Sequence, residues 1–265
     1  MVVNLEGVRG WFESYARGFD LTEPMLEMKY VHSRDVMRVG EALVRDLGWG
    51  AAEAETGVAA CLLHDTGRFS QYRDFRTYQD GKSIDHGDRG YAVLAAELPR
   101  ELADDGARAA ILESVRLHNK RELPEGLGEE VLPFCRLVRD ADKLDVFRLV
   151  QRCMREGREV ELLPSHRLGL PLSETLLDEV ERTGRGSYAN AASMLDYLLI
   201  QMTWTLDLNY APSRAILRRS GILDDIRGRF PRGDARVQRV LERLAGAADL
   251  TKRSEERRVG KECRS

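Results

Sequence analysis

The sharpest chemical feature of this sequence is a His-Asp doublet, His64-Asp65, which directly follows the apolar run VAACLL. A carboxylate at the end of a buried segment needs a partner, because an unpaired buried charge is very costly. A divalent cation could be that partner, and the carboxylate could bridge two of them. The doublet therefore indicates a candidate metal site.

The other histidines are ambiguous when each is considered singly. His32 lies within a helical pattern, His86 follows Asp85 at a predicted helix start, and His118 lies near the end of the segment ILESVRLHN. In each place a structural or surface histidine is the simpler interpretation. For His118, a protonated imidazole would be favoured by its position near a helix C-terminus. His166 lies in a loop with prolines and glycines and is interpreted as structural.

A run of aspartates, CRLVRDADKLD, adds carboxylates at Asp140, Asp142 and Asp145. Spacing alone does not choose among the three, and all could belong to a solvated helix face. Imidazole and carboxylate ligands together suit iron, manganese, zinc, cobalt or nickel and not a calcium cage.

Taken in order, these residues resemble the HD-domain metal-dependent phosphohydrolases, in the form that holds two metals. The resemblance rests on KYVHSRDV (29–36), HDTGRF (64–69), SIDHGDRG (83–90) and RDADKLD (139–145), and it covers about residues 25–150. Its closing motif selects Asp142 among the three aspartates. The resemblance implies six metal ligands, with Asp65 bridging the two ions: His32, His64, Asp65, His86, His118 and Asp142.

What the resemblance implies is hydrolysis of phosphoester bonds, in nucleotides, cyclic nucleotides or other small phosphorylated substrates, by a hydroxide that two divalent metal ions activate. The ions could be Mn, Fe, Zn, Co or Ni. Metal affinity is expected to fall as the pH drops through the histidine range near ~6.5, since protonated imidazole cannot bind a metal.

Arg68 is the first candidate for binding phosphate, because a guanidinium matches phosphate oxygens in a bidentate way. Asp65 and Arg68 are thus the expected catalytic residues, although Arg68 could equally be a surface arginine. Weaker candidates for binding the substrate are Lys82, Arg76, Lys120 and Arg73.

Two other functions remain open at this point. Some proteins that resemble this fold use a two-iron site to activate oxygen and cleave C–C or C–P bonds, and the same six ligands would serve. A non-catalytic, nucleotide-sensing HD domain is the third hypothesis, although the complete ligand set argues against it.

Helical periodicity runs through most of the chain. An all-α HD-domain bundle with additional C-terminal helices is predicted, in a single domain over 1–252 with its site core at about 25–150 and a helical extension at 151–252. Residues 66–84 and 156–171 are predicted as loops, with a small hairpin near 159–170 left open. Helices are predicted from Pro24 to about 47 and over 51–64, 85–98, 107–119, 131–150, 173–182, 188–208, 213–219 and 234–247.

Composition indicates a soluble globular protein, with 43% hydrophobic and 32% charged residues and a net charge of −3. No apolar run approaches the ~18 residues of a membrane span, and the N-terminus does not resemble a secretory signal. A cytoplasmic location without membrane partners is therefore expected. The net charge gives no strong case for bulk nucleic acid as a partner. The four cysteines form no CxxC pair. Whether the chain forms a homo-oligomer is left open.

The C-terminal segment RSEERRVGKECRS (253–265) does not read like the rest of the chain. It resembles the in-frame translation of a short-read sequencing adapter. The segment is therefore expected to be non-native and poorly ordered, and it is left out of the fold prediction. The earlier WTLDLNY (204–210) resembles the C-terminal part of some bacterial HD proteins.

Overall fold

A computed structural model describes residues 1–162 and 168–248, and within them the fold is all-α, as predicted. The only extended pairing in these ranges is an isolated bridge between Val3 and Ala103. None of the helices described is long and apolar enough to cross a membrane. His166 and the segment 253–265 lie outside the described residues, so the interpretations of both stay predictions.

The chain divides into two compact units, Met1–Asp145 and Val146–Ser265. The division falls inside one helix and lies close to the predicted end of the site core at about residue 150. The single domain over 1–252 stays a prediction.

The first unit is a bundle in which the helices pack in pairs: α2 on α3, α3 on α6, α4 on α5 and α5 on α6. Helix α1 buries Val8, Phe12 and Ala16 at four-residue spacing, which is one helical face. The bounds are α1 (Leu5–Arg17), α2 (Pro24–Asp46), α3 (Ala51–Leu63), α4 (Thr66–Phe75), α5 (His86–Glu97), α6 (Asp105–Leu117) and the first part of α7 (Leu132–Glu156), with 3₁₀ turns at Asp80–Lys82 and Arg100–Leu102.

The second unit contains the rest of α7 and shorter helices. Helix α10 is buried along its length and packs against α9, α12 and α13. The bounds are α8 (Glu159–Leu162), α9 (Glu174–Thr183), α10 (Met194–Thr203), α11 (Ala211–Ser220), α12 (Ile222–Arg227) and α13 (Ala235–Ala247), with 3₁₀ turns at Tyr188–Asn190 and Trp204–Asp207.

The predicted loop over 66–84 is wrong in its first half, where α4 occupies Thr66–Phe75. Its mixture of glycine, aromatic and charged residues hides the helix, which is stabilised by tertiary packing. Phe69 is fully buried, and its ring meets that of Phe12 edge to face at 6.1 Å. Gly67 lets the backbones of α4 and α5 approach closely, because a Cβ there would lie 2.2 Å from the carbonyl oxygen of His86.

Other differences concern short elements. Helices α1 and α12 were not predicted, and the predicted helix over 188–208 is divided into two 3₁₀ turns that flank α10. In the predicted loop over 156–171, residues 159–162 form α8 and not part of a hairpin, while 163–167 lie outside the described residues.

Candidate metal centre

Two of the site histidines occupy the same position at the ends of two helices. His64 follows the last residue of α3, and His118 follows the last residue of α6. Each ring donates its Nδ1–H to the carbonyl oxygen three residues earlier, at 2.9 Å to Cys61 and 2.7 Å to Val115. The last carbonyls of a helix lack intrahelical partners, so these bonds stabilise the helix end and fix the ring.

The other two histidines are fixed by carboxylates. The Nδ1 of His32, in the middle of α2, lies 2.8 Å from an oxygen of Asp145. The Nδ1 of His86, at the start of α5, lies 2.6 Å from an oxygen of Asp80. An ionised carboxylate only accepts hydrogen bonds, so Nδ1 carries the hydrogen in both rings, and Nε2 is a bare acceptor when the imidazole is neutral.

Asp65 precedes α4 at the N-cap position, where an aspartate usually caps the helix with its side chain. No such bond forms here. Instead, Oδ1 lies 3.6 Å from the Nε2 of His86 and 3.5 Å from that of His118. Oδ2 lies 3.7 Å from the Nε2 of His32 and 3.5 Å from that of His64. The two oxygens therefore face two different pairs of imidazoles.

Asp142, on α7, joins the second of these pairs. Its Oδ1 lies 3.1 Å from the Nε2 of His32 and 3.7 Å from that of His64. Asp145, one turn later, binds the opposite nitrogen of His32. Two sets of ligand atoms, each within 4.8 Å of one another, could hold a metal ion: His32, His64 and Asp142, and His64, Asp65 and His118.

The chemistry of this donor set fits divalent cations. The Nε2 atoms of His32 and His64 are 3.3 Å apart, and those of His86 and His118 are 3.0 Å apart. Two neutral imidazole lone pairs at such distances repel each other unless a proton or a cation lies nearby. Nitrogen and carboxylate donors around the same volume suit the borderline transition metals.

Burial and charge spread the histidine pKa values far apart. Burial lowers the pKa of His64 to about 3 and that of His86 to about 4. Burial and the nearby Lys29 also act to lower the pKa of His32. Its hydrogen bonds with Asp142 and Asp145 outweigh both effects and raise that pKa to about 9.

The carboxylates of the site stay ionised, although Asp65 is buried and Asp142 is partly buried. Burial acts to raise the pKa of Asp65, but the charges of Lys29 and His64 outweigh it and hold that pKa well below its ordinary range. The same balance holds for Asp142, where burial is outweighed by the hydrogen bond with His32. Both groups are therefore available as anionic ligands.

Two cations flank Asp65. The ammonium of Lys29, one turn before His32 on α2, donates to Oδ2 at 2.8 Å. The Nε of Arg68 lies 3.6 Å from Oδ1, is buried, and finds no hydrogen-bond partner among the described residues. Sequence reasoning missed Lys29, although its spacing of three residues from His32 places both on one helix face.

Asp80 was also missed, and it links Arg68 to a site histidine. One of its oxygens accepts from the Nη1 of Arg68 at 2.9 Å and from Gln71 at 2.9 Å. The other faces the Nδ1 of His86 and accepts from Asn119 at 3.2 Å. Burial acts to raise the pKa of Asp80, but His86 and Arg68 outweigh it and hold that pKa well below its ordinary range.

The other candidate substrate-binding residues lie at the surface or in ion pairs. Lys82 is exposed at the end of a 3₁₀ turn. Arg76 is exposed and pairs with Glu23, and Arg73 pairs with Asp74. Lys120 binds Asp85 at 2.6 Å and Asp88 at 3.1 Å. No ion pair joins these four to an expected ligand within the part of the chain that the structure describes.

In a comparison with known families, the family model of the HD domain matches residues 30–146. The matched segment contains all six expected ligands and ends beside the boundary between the two compact units. No match was found among curated proteins or among solved structures.

Proposed function

We propose that this protein is a metal-dependent hydrolase of phosphoester bonds in small molecules, nucleotides among them. The observation that carries the proposal is the division of the Asp65 carboxylate between two imidazole pairs, with Oδ1 near His86 and His118 and Oδ2 near His32 and His64. A carboxylate placed in this way can bridge two cations. The HD-domain match supports the same class of reaction.

Two divalent cations bound here, drawn from Mn, Fe, Zn, Co or Ni, would lower the pKa of water and neutralise charge on phosphate oxygens. Asp65 would be shared between the two cations. His32, His64 and Asp142 would complete one set of ligands, and His86 and His118 the other.

Arg68 is the protein's own candidate for holding the phosphoryl group. Its Nη1 is fixed by the carbonyl oxygen of Tyr78 at 2.7 Å and by Asp80 at 2.9 Å. Its buried Nε–H has no partner within the described ranges, and a buried donor left without one is costly. A guanidinium held in this way can donate to a non-bridging phosphate oxygen without first losing conformational freedom.

The test begins with metal-free protein reloaded with each candidate metal. Metal content is measured by mass spectrometry. Phosphate release is measured on nucleoside monophosphates, formation of the monophosphate on cyclic nucleotides, and nitrophenol release on nitrophenyl phosphates. We expect two ions per chain and ester hydrolysis that chelation abolishes. Absence of hydrolysis of all these esters with every metal would reject the proposal.

The same preparations distinguish the alternatives. Oxygen uptake by the iron-loaded protein without hydrolysis of any phosphoester would favour a two-iron oxygenase. Nucleotide binding without any turnover would favour a sensing domain.

A further inference from the structure

Lys29 is a largely buried cation whose partner is itself an expected metal ligand. Its side chain is 16% exposed, and its ammonium donates to Oδ2 of Asp65 at 2.8 Å. The ammonium also lies 5.5 Å from the centre of the Tyr78 ring. The Tyr78 hydroxyl donates to the carbonyl oxygen of Met25, so the ring is anchored to the helix that carries Lys29.

The oxygen that Lys29 binds is the one that faces His32 and His64. A cation held by those imidazoles and by Asp65 would therefore compete with the ammonium for Oδ2, because like charges at such short distances repel strongly in a buried site. Asp65 is the only carboxylate paired with Lys29 in the described part of the chain. Metal loading would thus deprive a buried ammonium of its counter-ion, which is costly unless another anion replaces it.

A second cation lies beside the other oxygen without a hydrogen bond to it. The Nε of Arg68 is 3.6 Å from Oδ1, and the guanidinium carbon is 5.4 Å from the centre of the same Tyr78 ring. One aromatic ring is therefore flanked by two cations, one near each oxygen of the expected bridging carboxylate. This arrangement would give an anionic ligand a charged group to bind on either side.

We propose that Lys29 is a substrate-binding residue, whose ammonium leaves Asp65 when the site is loaded with metal and binds a non-bridging oxygen of the phosphate group. This inference rests on the proposed function and adds a residue and a sequence of events to it. Lys29 is a counter-ion of Asp65 in the metal-free protein and a ligand of phosphate in the loaded one.

The experiment uses inorganic phosphate as the probe and the manganese-loaded full chain, with affinity measured by calorimetry. We expect Lys29→Met to weaken phosphate binding by about 10–100-fold, the loss of one hydrogen bond to a charged group. Lys29→Arg should retain most of the affinity. The matched control is Arg45→Met, which removes an exposed cation from the same helix and should stay within about twofold of the wild type by the small effect of surface charges.

Metal affinity, measured without phosphate, distinguishes a Lys29 that binds phosphate from a Lys29 that only positions Asp65. Because the ammonium competes for Oδ2, Lys29→Met should bind manganese at least as tightly as the wild type. A loss of manganese from Lys29→Met would show that Lys29 positions Asp65, and this result would overturn the inference. Unchanged phosphate affinity in Lys29→Met would overturn it as well.

Folding is checked by circular dichroism, and Lys29→Gln takes the place of Lys29→Met if the latter does not fold. The proposed function is tested separately, by the turnover of phosphoesters by the wild type. Wild-type turnover combined with unaffected phosphate binding in Lys29→Met rejects only the role of Lys29. No wild-type turnover, with phosphate binding that still depends on Lys29, rejects hydrolysis and supports the anion site.

Discussion

At the scale of single residues, the placement of Asp65 predicts that the ligands are not equivalent. Asp65→Ala removes the carboxylate that both imidazole pairs face, so we expect it to bind neither ion at stoichiometric concentration. His118→Ala removes a ligand from one side only. Asp65 then remains beside His32, His64 and Asp142, and these four should still hold one ion. Metal content after gel filtration is measured for both variants. Loss of a ligand should weaken metal affinity more than the loss of a residue that only hydrogen-bonds a ligand, which typically costs about 10–100-fold.

Equal metal content in these two variants would contradict a bridging role for Asp65. The folded state of each variant is checked by circular dichroism, because Asp65 and His118 are both buried. Full metal content in Asp65→Ala would reject the ligand assignment altogether.

The pKa of His32 predicts how metal binding depends on pH. That pKa is raised to about 9, so the metal-free ring carries a proton at neutral pH and must release it to bind a metal. The lowered pKa values of His64 and His86, about 3 and about 4, mean that those rings are already neutral there. We therefore expect the release of this proton to raise the logarithm of metal affinity by about one per pH unit between pH ~7 and ~9.

Calorimetry at pH 7 in buffers of different ionisation enthalpy measures the proton released. About one proton per chain is expected, and none in His32→Ala for the ion that still binds. An affinity that changes only near pH 6.5, as the sequence alone suggested, would contradict the raised pKa of His32.

The ligand candidates could be predicted from sequence because each lies in a short motif of fixed order. The residues that hold these ligands in place by hydrogen bonds could not be predicted. Asp80 reaches His86 from a 3₁₀ turn that no periodicity marks, and Asn119 reaches Asp80 from beyond the end of α6. Asp145 was considered only as a rival ligand, whereas the structure places it on the outer nitrogen of His32.

At the scale of elements, the approach of α4 to α5 controls how near Asp65 and His86 come to each other. A Cβ on Gly67 would lie 2.2 Å from the carbonyl oxygen of His86 and 2.6 Å from the amide nitrogen of Gly90. Because both are backbone atoms, Gly67→Ala forces the helices apart. We expect a destabilisation of about 1–3 kcal/mol, the usual cost of overpacking, together with weaker metal binding.

Gly10→Ala is the matched control for this prediction. Gly10 lies inside α1, and a Cβ there would meet nothing within 4 Å. Alanine should therefore stabilise the helix by roughly 0.5–1 kcal/mol. Thermal unfolding followed by circular dichroism measures both variants, and similar midpoints for the two would show that the approach of α4 to α5 is not tight.

The long helices could be predicted because their sequences combine apolar periodicity with start signals. Pro24 begins α2, and Asp104 caps α6 by accepting from the amide of Ala107. Helix α4 could not be predicted in this way, because its glycine, aromatic and charged residues show no apolar periodicity, and the side chain of its cap residue Asp65 faces the site histidines. Local rules fail most often where a functional site competes for the same residue.

At the scale of the whole molecule, all six expected ligands come from Met1–Asp145. They are carried by α2, the turn between α3 and α4, the start of α5, the end of α6 and α7. Because these elements are far apart along the sequence, a bound cation links segments that are distant in the chain. Its free energy of binding should therefore stabilise that unit as a whole.

Hydrogen exchange with and without metal tests this last prediction. At a free metal concentration of 100 times Kd, binding adds about 2.7 kcal/mol to the stability of the folded state. Amides of α2, α3 and α6 that exchange by unfolding of the first unit should then exchange about 100-fold more slowly. Amides of α10 and α13 belong to the second compact unit and should change much less. Equal protection of both sets would show that the units unfold together, and protection of neither would contradict a metal centre formed by those five segments.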